Sequence, residues 1–167
     1  RVGRLLITLF LVERKILPTP LLYLSAFFEA TRREYYDRLL GVSERGEWEV
    51  WIEYFLNGIA RQSEDALSRA ERINQKLAQW RHAVAGSSSK IPLMIIDMLA
   101  ANPYVTIKKA AEQLKAAFTT AQRAIERLEK LSIVAETSKA KRDRVYCAKT
   151  ILDILEEPTK LTPLGKR

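Results

Sequence analysis

The sequence predicts a mainly α-helical chain that closes in a small α+β unit, and three observations predict it. Apolar residues recur at three- and four-residue steps from near the start to about residue 130, the signature of helices with one buried face. The 167 residues are 47% apolar and 29% charged, enough to bury the core of one large or two small domains. Two β-favouring runs, Ile133-Val134-Ala135 and Val145-Tyr146-Cys147, follow the helical region.

The first helix is expected from about Val2 to Lys15. Its run of eight positions from Leu5 to Val12, apolar but for Thr8, predicts a helix buried on all sides. A membrane span needs roughly twenty such residues, and no small-residue cleavage pattern follows. The expectation is a soluble, cytoplasmic protein with no membrane partner. The chain opens at Arg1, with no Met and no capping residue before the apolar pattern, so we expect that an N-terminal portion has been removed.

Pro18-Thr19-Pro20 interrupts the pattern by removing backbone donors. Ser25 is a plausible N-cap for a helix to about Leu40, with Gly41 as its stop. Glu47 and Glu49 suit the positive end of a third helix, where Trp51, Ile52, Phe55, Leu56 and Ile59 form a core-type stripe. From Ser63 to Val84 a narrower seam of Ala66, Leu67, Ala70, Ile73, Leu77 and Trp80 must be covered, either by its own domain or by a second copy in a homodimer. His82, near the end of this stretch, suits the C-terminal dipole better than catalysis.

Gly86-Ser87-Ser88-Ser89 reads as a linker, giving a helical domain over 1–85, a linker over 86–89, a second domain over 90–156 and a tail over 157–167. Up to Gly86 the chain carries 13 basic and 11 acidic residues, net +2; from Ser87 it carries 15 and 9, net +6. The whole-chain charge of +8 predicts attraction to nucleic acid, phosphorylated ligands or acidic surfaces, and the half from Ser87 onward carries most of it.

In that domain Pro92 suits the first turn of a helix over Lys90 to Ala101, whose apolar face is Leu93, Ile96, Met98 and Leu99. Thr106 caps a short helix, Ile107 to Leu114, and a turn at Lys115 to Phe118 leads to a third helix from about Thr119 to Lys130. Ala121, Ala124, Ile125 and Leu128 point inward. The two β runs and the basic loop between them make a wing, and a last helix covers about Thr150 to Leu155. The whole is a winged helix-turn-helix layout.

A single Cys and a single His exclude an internal disulfide and a Cys/His zinc site, so no metal site is expected. Cys147 is most simply a core residue. No Ser-His-Asp set and no GxxxxGK[ST] loop is present. The outward positions of the third helix are Thr119, Thr120, Gln122, Arg123, Glu126 and Arg127. Gln can address adenine, Arg can address guanine, and the threonines can reach phosphates. Lys139, Lys141, Arg142 and Arg144 in the wing add phosphate contacts, whereas Glu126 repels them. DNA or RNA binding, protein docking and an inert appendage all stay open on these residues. Arg1 and Arg4, three apart at a helix start, suit a polyphosphate, though paired arginines in that place are more often simply solvated.

Arg1-Val2-Gly3-Arg4-Leu5-Leu6, followed by Pro18-Thr19-Pro20-Leu21-Leu22-Tyr23-Leu24-Ser25, resembles a Fic-family protein. The family's active-site motif is HPFx[D/E]GNGRxGR, and Arg1-Val2-Gly3-Arg4 is similar to its final RxGR. Glu34 to Leu39 and Trp48 to Leu56 resemble later helices of the family, so the resemblance covers about Arg1 to Ala85, and the rest is similar to the winged helix that often follows. It implies transfer of AMP from ATP, with Mg²⁺, to a hydroxyl of a target protein. By position, Arg1, Gly3 and Arg4 would hold the triphosphate, Arg4 being the arginine that an inhibitory Glu sequesters in regulated members. Tyr36, with Tyr35 beside it, would border the nucleobase, and Ser43 falls where that pocket closes. The motif His, its acidic metal ligand and its GNG turn would all precede Arg1, so the parent protein is expected to be the AMP transferase, this chain itself inactive and without bound cofactor. Ser132 stands where related winged helices carry Gly. The alternative is a DNA-binding regulator whose helical half dimerises it.

Overall fold

The computed structural model describes residues 2–16, 24–86, 89–138 and 143–158. Among them are eight helices and one three-stranded antiparallel sheet, so the chain is mainly α with a small α+β part. Two compact units divide between Ser68 and Arg69. That division lies inside a helix and not at the 86–89 segment that composition marks.

The first unit holds α1 (Val2–Glu13), α2 (Leu24–Ala30), α3 (Arg32–Arg45) and the first part of α4 (Trp48–Val84). Its core is aromatic: Leu24, Phe27, Phe28 and Tyr54 are buried, with Tyr35, Trp51 and Phe55 packed around them. The rings meet in tilted and stacked pairs, Phe27 and Tyr54 at 5.2 Å and Phe28 and Tyr35 at 5.0 Å between centroids. Gly58 permits the closest approach, because a Cβ there would stand 2.6 Å from the Phe27 ring.

Several expectations for this unit are corrected. The first helix is not buried on all sides: Ile7 and Leu11 meet the aromatic cluster, but Leu6, Leu9 and Phe10 are more than half exposed. The helix expected from Ser25 to Leu40 is two helices. Thr31 breaks it with φ −110° and ψ 32°, and its hydroxyl donates to the Phe27 carbonyl at 2.8 Å. Thr31 Oγ1 then has no proton left for Tyr54, so the Tyr54 hydroxyl is the donor across their 2.6 Å contact. Ser25 lies within α2 and is not its cap. Gly41 does not stop α3; it is buried in its last turns, and an added Cβ would strike the Glu47 carboxylate. The stop is Gly46, at φ 68°, whose N–H donates to Val42 O at 3.1 Å. The two helical stretches expected around Ile59 and from Ser63 are one continuous helix of 37 residues, α4.

The second unit is Arg69 to Glu157. It contains the last part of α4, then α5 (Ile91–Ala101), β1 (Tyr104–Thr106), α6 (Ile107–Gln113), α7 (Phe118–Lys130), β2 (Ala135–Glu136), β3 (Val145–Cys147) and α8 (Lys149–Glu156). The strand order is β1-β3-β2, with Val105 opposite Tyr146 and Ala135 opposite Cys147. β1 was not anticipated. Asn102 Oδ1 accepts from the Tyr104 N–H at 2.9 Å and turns the chain into it.

One aliphatic core joins these elements: Ile95, Ile96, Leu99, Val105, Ala121, Ile125, Leu128 and Ile151 are almost wholly buried. Ile95 takes the inward place expected of Leu93, which is exposed. Of the seam read along 63–84, Ile73, Leu77 and Trp80 pack in this core, while Leu67 stays exposed. Arginines fasten α4 to its neighbours within the unit. Arg69 donates to the carbonyls of Ile154, Leu155 and Glu157 at 2.6 to 2.9 Å, satisfying the open C-terminal end of α8. Arg72 grips the Glu157 carboxylate with both terminal nitrogens, at 2.7 and 2.6 Å, and Arg81 meets Asp97 at 2.7 Å.

Candidate nucleic-acid interface

The helix-turn-helix is built from two helices with contrasting starts. Thr106 caps α6: its hydroxyl accepts from the Lys109 N–H at 3.2 Å. α7 begins after Ala117, which has no side-chain oxygen to accept its first amides. The Thr120 and Ala121 amides already donate to the Ala117 carbonyl at 2.9 and 3.1 Å, so those of Phe118 and Thr119 are the ones that can meet an anion, with the helix dipole adding positive potential. The turn between the helices needs Lys115 at φ 50°, and Ala116 N–H donates to Ala111 O at 3.0 Å. This geometry brings the head of α7 to the surface.

α7 separates sharply into two faces. Ala121, Ala124, Ile125 and Leu128 are buried, as the periodicity predicts. Thr119, Thr120, Arg123, Glu126 and Arg127 are exposed and Gln122 is half-buried. Gln122 Nε2 donates to Glu126 Oε1 at 2.8 Å, which orients the amide and leaves Oε1 and one N–H for another partner. Thr119, Arg123 and Arg127 succeed one another at four-residue steps, so they form one polar row.

The two β runs expected to make a wing are β2 and β3, paired antiparallel. Thr137 N–H donates to Val145 O at 2.9 Å and Val145 N–H to Ser138 Oγ at 3.0 Å, closing its base. Arg144 is exposed and lies 3.7 Å from Glu136, so part of its charge is balanced within the wing. Lys139, Lys141 and Arg142 lie outside the described residues. Ser132 occupies the left-handed region, φ 56°, at the end of α7. The turn is therefore made in the place where Gly was expected, with Ser132 N–H donating to Glu129 O at 2.8 Å.

Cys147 is buried, and burial pushes its thiol above the ordinary range, with the Tyr104 side chain beside it as a smaller opposing influence. A protonated, enclosed thiol is a poor nucleophile. Tyr146 is buried in the same strand and its hydroxyl is likewise pushed up by burial.

The nucleotide-side residues come together only in part. Arg1 and the Arg4 side chain lie outside the described residues, while Gly3 and Arg4 stand in the first turn of α1. Tyr35 turns into the aromatic core, 5.7 Å from Trp51, and so does not line an open surface as Tyr36 does. Tyr36 is 52% exposed, edge-on to Tyr35 at 5.3 Å and beneath the Arg32 guanidinium at 6.0 Å. Ser43, two turns further along α3, is exposed on the same face. His82 is exposed in the last turn of α4. Among the described residues, no group of three or more His, Cys, Asp or Glu side chains could hold a metal ion, and no helix is long and apolar enough to cross a membrane.

Sequence reasoning missed Phe118, assigned to the turn but placed as the first residue of α7 and 54% exposed. Its position beside Thr119 and Thr120 was the available signal. No protein-family model matches the chain.

Proposed function

We propose that the second unit is a winged helix-turn-helix that binds duplex DNA, with α7 in the major groove and the β2–β3 wing against phosphates. The observation that carries this reading is the division of α7: an apolar face buried to the last residue, and an outer face of Thr119, Thr120, Gln122, Arg123 and Arg127 behind an uncapped N-terminus. Arg123 would address a guanine edge and Gln122 an adenine edge, each worth about 1–3 kcal/mol of discrimination. Glu126 restrains Gln122 and weakens phosphate contact, which favours modest affinity. The test is fluorescence anisotropy of the chain with mixed-sequence duplex at several salt concentrations. Affinity should fall by about 0.9 log units per log unit of salt for each phosphate engaged. Affinity that ignores salt, or no binding at low salt, overturns the reading and favours protein docking.

We infer further that the chain is the C-terminal part of a Fic-type protein AMP transferase, located in the cytoplasm, whose winged helix targets or regulates it. Two features support this: the RxGR-like opening, Arg1 to Arg4, and the exposed face of α3 that carries both Tyr36 and Ser43. ATP would supply the AMP. The family's Mg²⁺ is held by an acidic residue of its motif, and none of the roles proposed for this chain's residues runs through the metal. Its own contribution is to bind: Arg4 and Gly3 toward phosphates, Tyr36 and Ser43 toward the base. Intact mass of the full-length parent, before and after ATP and Mg²⁺, should show added AMP on itself or on a co-purified protein. Arg4→Ala in that parent should weaken ATP binding. A reading frame with no HPFxxGN-like stretch upstream of Arg1 would leave the alternative, a DNA-binding regulator dimerised by its helical half.

A further inference from the structure

Among the described residues of the second unit, Phe118 is the most exposed large apolar side chain, ahead of Leu155 and Tyr104. That unit buries nearly every large apolar side chain of α7, yet this phenyl ring is 54% exposed at the first position of the helix and takes no part in the core. Its surroundings are polar: Thr119 and Thr120 follow it, and Gln122 and Glu126 continue its row at four-residue steps. In helix-turn-helix docking the first residues of the second helix are those that meet base edges.

The largest apolar feature the major groove offers to such a ring is the C5-methyl group of a pyrimidine, set among donors and acceptors. We propose that Phe118 reads a pyrimidine C5-methyl group, carried by thymine or by 5-methylcytosine, in the duplex bound by α7. The proposal rests on the DNA-binding reading above and adds to it a chemical preference that charge cannot provide. Gln122, held by Glu126, follows one helical turn later, so the methyl contact would sit next to the amide's base contact.

The experiment starts from duplexes selected out of a random pool by the full chain. Each thymine of the selected site is replaced in turn by deoxyuridine, which removes only the methyl, and each cytosine by 5-methylcytosine, which adds one. The expected result is one position where the methyl strengthens binding about fourfold, the worth of one buried methyl group. Phe118→Ala should abolish that difference, and Phe118→Leu, which keeps an apolar contact, should retain most of it. Circular dichroism of both variants should match the parent, since the side chain is not part of the core. A gain on deoxyuridine replacement identifies neither source and overturns the proposal, as does equal affinity at every position. A methyl preference that persists in Phe118→Ala also overturns it. Salt-dependent binding without methyl preference defeats this inference alone; absence of any duplex binding defeats the reading beneath it too.

Discussion

The two units of this chain solve the same problem, a core for a short stretch of helices, in different ways. The second unit closes a mostly aliphatic core around α7, with Ile95, Leu99, Ala121, Ile125 and Leu128 excluded from water beside one fully buried ring, Tyr146, while Met94, Leu131 and Leu155 stay exposed. The first unit relies on a few interlocked rings and leaves Leu6, Leu9, Phe10, Leu40, Trp48, Ile52 and Leu56 substantially exposed. Aliphatic side chains interdigitate from many directions, whereas a ring cluster concentrates its contacts on a few large residues. The lesson is that the second unit's stability is distributed and the first unit's is concentrated.

The sharpest way to break this comparison is to remove one large side chain from each core. Phe28→Ala should cost the first unit about 3–5 kcal/mol and Leu128→Ala the second about 2–5 kcal/mol. Hydrogen exchange should show the first loss as general deprotection of α2 and α3, because Phe28 contacts Phe27, Tyr35, Tyr54 and Phe55. Equal, local deprotection in both variants would contradict the contrast. Gly58→Ala probes the tightest contact. Helix propensity gains about 1 kcal/mol, but the new methyl meets the immobile Phe27 ring, and overpacking of about 1–3 kcal/mol should leave a lower thermal midpoint.

Smaller effects sharpen the picture of the second unit. Ser132→Gly should raise its stability by about 0.5–1 kcal/mol, read as a higher urea midpoint at unchanged m-value, because glycine adopts φ 56° without strain. The smallest effect is alkaline. The Cys147 thiol is raised in the folded state, so its contribution is fully present below the unfolded thiol's range and is lost as pH rises through the folded value. Stability of the second unit should therefore decline above about pH 8.5, and the early part of that decline should vanish in Cys147→Ala.

Much of the second unit was legible because its signals are local and agree with one another. Thr106 caps where a hydroxyl before an apolar helix should, and the buried set of α7 follows the 3.6-residue period without exception. β1 was hidden because a three-residue strand after Pro103 gains its identity only from pairing with β3, a partner some forty residues away. The length of α4 was hidden for the opposite reason: no proline or capping residue stands between Ile59 and Ser63, and the change of apolar seam there reflects a change of core, not of helix. Gly41 and Gly46 show how a glycine signal can mislead. Both suit a helix end, but one serves close packing near Glu47 and the other the left-handed turn. In the candidate interface, the polar row of α7 followed from spacing, while Phe118 required knowing on which residue the helix starts.

The alanine at the head of α7 sets a trade between robustness and grip. Serine or aspartate at position 117 would furnish the missing acceptor and make the domain hardier by about 1 kcal/mol. The same oxygen would occupy the amides a phosphate needs, and aspartate would add repulsion. A sequence optimised for thermal endurance alone would make that exchange and give up the open amides at the head of the helix.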